Sequence, residues 1–142
     1  MKPLHFRVMS EVAELCELFP VISELRTSIN LNTFLERVAV QSNEGYRLVA
    51  ACNESQLLAA AGFRTLHCLA LGQYMYVEDF VTVKAARKQG IGSALFAWLE
   101  RYARENGCAA IQLDSGIQRA EAHEFYRSMK MEMTCNHFTK IL

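Results

Sequence analysis

Neither sign of charge dominates this chain. Its 142 residues hold 15 Lys and Arg against 15 Asp and Glu. Without excess positive charge there is no global pull toward nucleic acid or an anionic membrane, so any anion site must be local. Proline is scarce at 2 residues, glycine is modest at 7, and hydrophobic residues make up 51%. That balance excludes collagen, low-complexity fibres and disorder. Long apolar runs are missing as well. The longest lies near residues 57–63, far short of the roughly 20 residues a membrane-spanning helix needs. The first fifteen residues contain no apolar leader segment, with acids already at Glu11 and Glu14. The five cysteines (Cys16, Cys52, Cys68, Cys108 and Cys135) have no CxxC or CxxH spacing. Odd in number and irregularly placed, they read as thiols of a reducing cytoplasm, not a disulfide frame or a zinc site. The four histidines are scattered, and no metal is expected.

What is present points to one domain spanning residues 1–142. A domain near this size buries about 68–70% of its unfolded surface, enough for a core without staples. Leu4, Phe6 and Val8 alternate with His5 and Arg7, which predicts a first strand over residues 4–9. Ser10 followed by Glu11 and Glu14 predicts a helix N-cap with early acids. Val12, Leu15, Phe19 and Ile22 recur at helical spacing, although Pro20 is expected to break or kink the helix. Residues 27–33 read as a polar loop. Phe34, Leu35, Val38 and Ala39 predict a second helix, ended by Asn43-Glu44-Gly45.

The middle third changes character. Residues 46–52, 57–66 and 73–83 are strand-like runs with short links, which predicts an antiparallel meander. Gly90 opens a helix with Ile91, Leu95, Trp98, Leu99 and Tyr102 on one face, stopped by Asn106-Gly107. Residues 110–113 form a short strand, residues 119–129 a helix, and residues 131–134 with 137–141 a closing hairpin. The strand–helix–strand unit from 74 to 113 should place its strands parallel with a right-handed crossover. The expected fold is a mixed α/β sheet, mostly antiparallel, with one parallel pair and flanking helices.

The informative stretch is Val77-Glu-Asp-Phe-Val-Thr-Val-Lys-Ala-Ala-Arg-Lys-Gln-Gly-Ile-Gly-Ser93. A strand runs out, a short basic turn follows, and a helix begins at two glycines one residue apart. Residues without Cβ let the backbone approach a ligand closely. Orphan amides at a helix start favour negative charge. Lys84, Arg87 and Lys88 fall within five residues with no acid between them. These features describe a pocket for a phosphate or pyrophosphate. It is neither a P-loop nor a GxGxxG fingerprint, and a nucleotide-binding α/β domain would also suit it.

Arg87-Lys88-Gln89-Gly90-Ile91-Gly92 matches the R/Q-x-x-G-x-G/A motif of the GCN5-related N-acetyltransferases. Residues 76–83 resemble that family's central strand, and Ala122-His-Glu-Phe-Tyr126 resembles its A-x-x-F/L-Y helix. Their order and spacing fit along nearly the whole chain. The resemblance implies the acyl-CoA N-acyltransferase fold, in which acetyl-CoA lies where two parallel strands splay apart. It implies that backbone amides of Lys88, Gln89, Gly90, Ile91, Gly92 and Ser93 hold the pyrophosphate beside Arg87. Main-chain groups of Phe80, Val81 and Val83 would pair with the pantetheine arm. Arg119 stands where many members carry Asn, as a phosphate contact or a surface cation. Lys130-Met131 replaces a common Gly-Phe, so the exit from the last helix is expected to differ.

An N-acetyltransferase faces a protonated acceptor. An alkyl amine has a pKa of roughly 10.4, so making it neutral at pH 7 costs about 5 kcal/mol. The site must accept a proton, directly or through water. Glu78 and Asp79 are the candidates, being carboxylates inside an apolar strand. Adjacent strand residues point to opposite faces, so the two are not expected to serve equally. Tyr126 matches the family tyrosine that donates to the departing thiolate, and a main-chain amide near Val81 would steady the oxyanion. Acceptor contacts are expected from residues 26–33, 76–78 and 135–137. His123 reads as an exposed helix residue and Trp98 as core. The acceptor is a small-molecule amine or a protein or peptide amine. A homodimer through the terminal hairpin or a sheet edge is open. The rival reading is an acyl-CoA-binding module of the same fold without turnover.

Overall fold

The computed structural model describes residues 2–142. In chain order the elements are β1 (His5–Met9), α1 (Val12–Ser23), α2 (Leu31–Asn43), β2 (Arg47–Cys52), β3 (Leu57–Cys68), β4 (Gly72–Thr82), α3 (Ile91–Glu105), β5 (Ile111–Leu113) and α4 (Ala120–Ser128). A single 3-10 turn, Lys84–Ala86, joins β4 to α3. Two compact units divide the chain: one ends at Gln112, the other is Leu113–Leu142.

In the first unit the strands β2 to β4 form the expected antiparallel meander, β1 pairs antiparallel with β2, and β5 follows beside β4 in a five-stranded mixed sheet. The parallel β4–β5 pair begins at the start of β4. There Ala109 donates its amide to the Gln73 carbonyl at 2.8 Å and Met75 donates to Ala110 at 2.9 Å. With only three residues, β5 runs out well before the eleven-residue β4 does.

Five alanines, Ala50, Ala51, Ala59, Ala60 and Ala61, occupy the centre of β2 and β3 at 0% exposure. Side chains this small let helices lie close on both faces. Ala60 joins Leu15, Leu18, Ile22, Phe34, Val38 and Val81 in the core beneath α1 and α2. Its strand neighbours Ala59 and Ala61 point the other way. The indole of Trp98 on α3 lies 6.5 Å from the Phe6 ring, 6.1 Å from Phe63 and 5.3 Å from Tyr102. Trp98 is thus half-buried against the core, not fully within it as expected. Each buried Leu or Phe here contributes about 1.5–3 kcal/mol over leaving it in water.

Local details differ from the sequence reading for identifiable reasons. The N-cap of α1 is Glu11, not Ser10, and the Glu14 carboxylate accepts from both amides at 3.3 and 3.1 Å. Pro20 does not break α1, which continues to Ser23. The proline falls in the last turn on the exposed face, and the Cys16 carbonyl it leaves unpaired belongs to an exposed residue. Helix α2 starts at Leu31, inside the expected loop, because the Asn30 side chain caps the Thr33 amide at 2.9 Å. On β1, an edge strand, Val8 is 47% exposed while Met9 is buried.

Within the second unit α4 ends in a Schellman motif. Met131 donates its amide to Tyr126 at 3.1 Å and Lys130 donates to Arg127 at 2.9 Å. Lys130 takes φ +63° to do so. The exit therefore keeps the left-handed turn that a glycine would make with less strain. The expected C-terminal hairpin does not form: residues 131–142 contain no strand. An isolated two-stranded ribbon is marginal in water, and Met133, Phe138 and Ile141 are 65–91% exposed, so they provide no apolar face to hold one.

Candidate active site

The register of β3 against β4 shifts midway. Gly62 pairs with Asp79 and Phe63 with Val77, so Glu78 is an extra residue, a β-bulge. The bulge cancels the alternation expected of neighbours in a strand. Glu78 and Asp79 both line one cleft of about 620 Å³, together with Arg26, Ser28 and Ile29 after α1, Arg37 on α2, and Tyr46.

The two carboxylates are held differently. Glu78 accepts from Arg64 Nε on Oε2 at 2.8 Å, and Arg64 Nη1 reaches Glu44 at 3.0 Å. These bonds push the Arg64 pKa still higher. No partner engages Glu78 Oε1 among the described residues. Asp79 is held at both oxygens: Arg26 Nε donates to Oδ1 at 2.8 Å and the Tyr46 hydroxyl to Oδ2 at 2.5 Å. Burial, and then the Asp79 charge, push the Tyr46 pKa far above its ordinary range, so this hydroxyl keeps its proton. Arg26 Nη2 also donates to the Glu78 main-chain carbonyl at 2.9 Å. Sequence reasoning missed Tyr46 and Arg64. Their only sequence signal is that carboxylates inside a strand require partners.

Beyond the cleft, β4 runs into the basic turn. Lys88 has φ +61° and Gly90, the N-cap of α3, has φ +78°. Two left-handed residues so close fold the backbone into a concave turn whose amides can converge on an anion. The first helical bond is from Ala94 to the Gly90 carbonyl at 3.0 Å, so the amides of Ile91, Gly92 and Ser93 are first-turn orphans. No acid lies in that turn, and the side chains of Arg87, Lys88 and Gln89 are exposed. Ile91 is 4% exposed and anchors the helix start in the core. Arg87 Nε donates to the Thr82 carbonyl at 3.2 Å, and Lys84 donates its amide to Glu24 at 2.8 Å, which ties the turn to β4 and to the end of α1.

The main chain of β4 corrects one expectation. Val83 donates its amide to Leu58 at 2.9 Å and accepts from Ala86 at 2.9 Å. In an antiparallel ladder the bonded residues alternate, so Val81, paired with Ala60, also directs its main chain to β3. Val81 and Val83 therefore do not present amides to a ligand on the other side. Phe80 and Thr82 face that side.

In the second unit, Tyr126 lies on α4 with its ring 5.5 Å from Phe125. Burial raises its pKa, and the nearby charge of Arg119, the α4 N-cap residue, partly counters the shift. Tyr126 lines a cavity of about 460 Å³ with Asp114, Ser115, His123, Cys135 and His137. His137 Nδ1 is 3.5 Å from Asp114, and His123 Nε2 is 2.9 Å from the Gly116 carbonyl, so His123 is half-buried and engaged, not exposed.

A meander joined to a parallel pair, with four helices, is the acyl-CoA N-acyltransferase fold. The model of the Acetyltransferase (GNAT) family matches residues 11–131. The chain belongs to the GNAT acetyltransferase family. It is 31% identical over 136 residues to an uncharacterized N-acetyltransferase, YhdJ, of Bacillus subtilis, covering 95% of each chain. It is 29% identical over 138 residues to an aminoalkylphosphonate N-acetyltransferase of Salmonella typhimurium, covering 94% of this chain and 84% of that one. A GNAT family acetyltransferase structure from Staphylococcus aureus superposes with a TM-score of 0.81 at 23% identity, covering 100% of both chains.

Proposed function

We propose that this chain is an acetyl-CoA-dependent N-acetyltransferase that acts on a small-molecule primary amine by direct transfer in a ternary complex. One observation carries the reading: a single strand, β4, holds two carboxylates in a cleft at its bulge and leads through a basic turn into an open helix start at Gly90, eleven residues after Asp79. We take both units as parts of one catalytic domain, because the family match runs across them. A small acceptor suits a cleft of about 620 Å³, and the Salmonella relative is named for small amines.

The residues present fit the cofactor. Six consecutive amides, Lys88 to Ser93, have no partner within the chain among the described residues and lie at a helix N-terminus beside exposed Arg87 and Lys88. They would hold a diphosphate. Phe80 and Thr82 direct their main chains to the side where a pantetheine arm would lie. Bound there, acetyl-CoA supplies an activated acetyl thioester. Glu78, with Oε1 open, takes the ammonium proton or orients the water that does. Asp79, engaged at both oxygens, is the poorer acceptor and serves to orient. The Tyr126 hydroxyl, kept protonated by its raised pKa, donates to the departing thiolate. Arg119 lowers the cost of any negative charge gathering there.

The test is thiol release from acetyl-CoA against a panel of small amines and peptides, for wild type, Glu78→Gln and Tyr126→Phe. Both variants should lose kcat with coenzyme A affinity kept. Variants that match wild type would remove these roles. Binding of coenzyme A without turnover of any amine would favour the non-catalytic module.

A further inference from the structure

We infer that Tyr46 is a positioning residue for the acetyl transfer, acting on the candidate base through Asp79 and Arg26. The inference rests on the N-acetyltransferase reading above. The tyrosine is 5% exposed at the entrance to β2, and its ring fills the notch left by Gly62. A Cβ at that position would stand 1.7 Å from the Tyr46 hydroxyl oxygen. The notch aims the hydroxyl at Asp79 Oδ2, 2.5 Å away. Asp79 then fixes Arg26 through Oδ1, and Arg26 Nη2 holds the carbonyl of Glu78.

Four groups from three separate chain segments, two donors and two acceptors, thus form one chain of hydrogen bonds ending on the backbone of the bulge. A bulge is the least constrained point of a ladder, because its extra residue has no partner on the neighbouring strand. Arg26 supplies that partner from outside the sheet. Without it the Glu78 peptide can rotate and move the side chain that must meet the amine. Misplacement of a reacting group by about 1 Å costs on the order of 100-fold in rate. Tyr46 gives the cleft wall only a 5% exposed edge, and its hydroxyl, bonded to Asp79, keeps its proton, so it acts through Asp79.

The experiment is a double-mutant cycle in kcat with Tyr46→Phe, which keeps the ring, and Arg26→Gln, on a side chain 48% exposed. Each single variant should lower kcat by about 10- to 100-fold with the KM for acetyl-CoA within about twofold of wild type. The double variant should be no slower than the worse single one. Additive losses, unchanged kcat in Tyr46→Phe, or a loss confined to acetyl-CoA KM would each overturn the inference. Should Tyr46→Phe not fold, Arg26→Gln paired with Asp79→Asn reads the same link, with the same non-additivity required. A wild type that turns over no amine overturns the parent reading and this one together. A wild type that does, beside an unaffected Tyr46→Phe, overturns this one alone.

Discussion

Gly62→Ala is expected to be the most damaging single-methyl addition in this protein. Its Cβ would lie 1.7 Å from the Tyr46 hydroxyl oxygen, 2.4 Å from Cζ and 2.8 Å from Cε1. Carbon contacts are comfortable at about 3.5–4.0 Å, so the ring must retreat by roughly 2 Å. Retreat breaks the bond to Asp79, and a hydrogen bond to a charged group is worth about 1.5–3 kcal/mol. Overpacking a filled core adds about 1–3 kcal/mol. Together these reach roughly 2.5–6 kcal/mol, against a total stability on the order of 5–15 kcal/mol. For a chain of this length each kcal/mol moves Tm by about 3 °C, so a fall of about 8–18 °C is expected by circular dichroism. Gly72→Ala is the control. It meets nothing within 4 Å but has φ +73°, so it bears only left-handed strain of about 1–2 kcal/mol. In a Tyr46→Ala background the Gly62 substitution should cost under about 1 kcal/mol. A Gly62→Ala Tm within about 3 °C of wild type would refute the reasoning.

Other outcomes follow from the same geometry. Glu78→Gln should lower kcat by about 10²- to 10⁴-fold, the usual contribution of a positioned base, in a thiol-release assay. The folded-state pKa of Tyr46 lies above its unfolded value of about 10. Its contribution is therefore complete below pH 10 and is lost as pH rises beyond it. Melting temperatures between about pH 9 and 11.5 should fall more steeply for wild type than for Tyr46→Phe. Lys130→Gly should stabilise the end of α4 by about 0.5–1 kcal/mol, by relieving φ +63° at a helix C′ position, and amide exchange of residues 125–131 should slow.

Much of this was readable in advance because it is local. Strand-like runs with short links announced β2 to β4, and Gly90 and Gly107 marked the ends of α3. The R-x-x-G-x-G turn pointed to the anion site, and Ala122 to Tyr126 to the family helix. What escaped depends on partners far apart in sequence. The bulge at Glu78 arises from the register of two strands and brings side chains together that alternation would separate. Asp79 meets Tyr46 33 residues away and Arg26 53 residues away, and no spacing encodes either contact. Which of Phe80, Val81, Thr82 and Val83 turns its main chain outward depends on one bond to Leu58, since the phase of a ladder is invisible in side-chain identity. The residues read as a terminal hairpin have strand-like composition, but they lack the neighbour that a strand needs.

The account depends on the turn before α3 offering bare amides to a diphosphate. Backbone amide shifts, followed by two-dimensional NMR as coenzyme A is titrated in, test this most directly. The amides of Lys88 through Ser93 should show the largest saturable movements, and Gly90→Val should abolish them. Saturable binding that leaves those six amides in place would contradict the account.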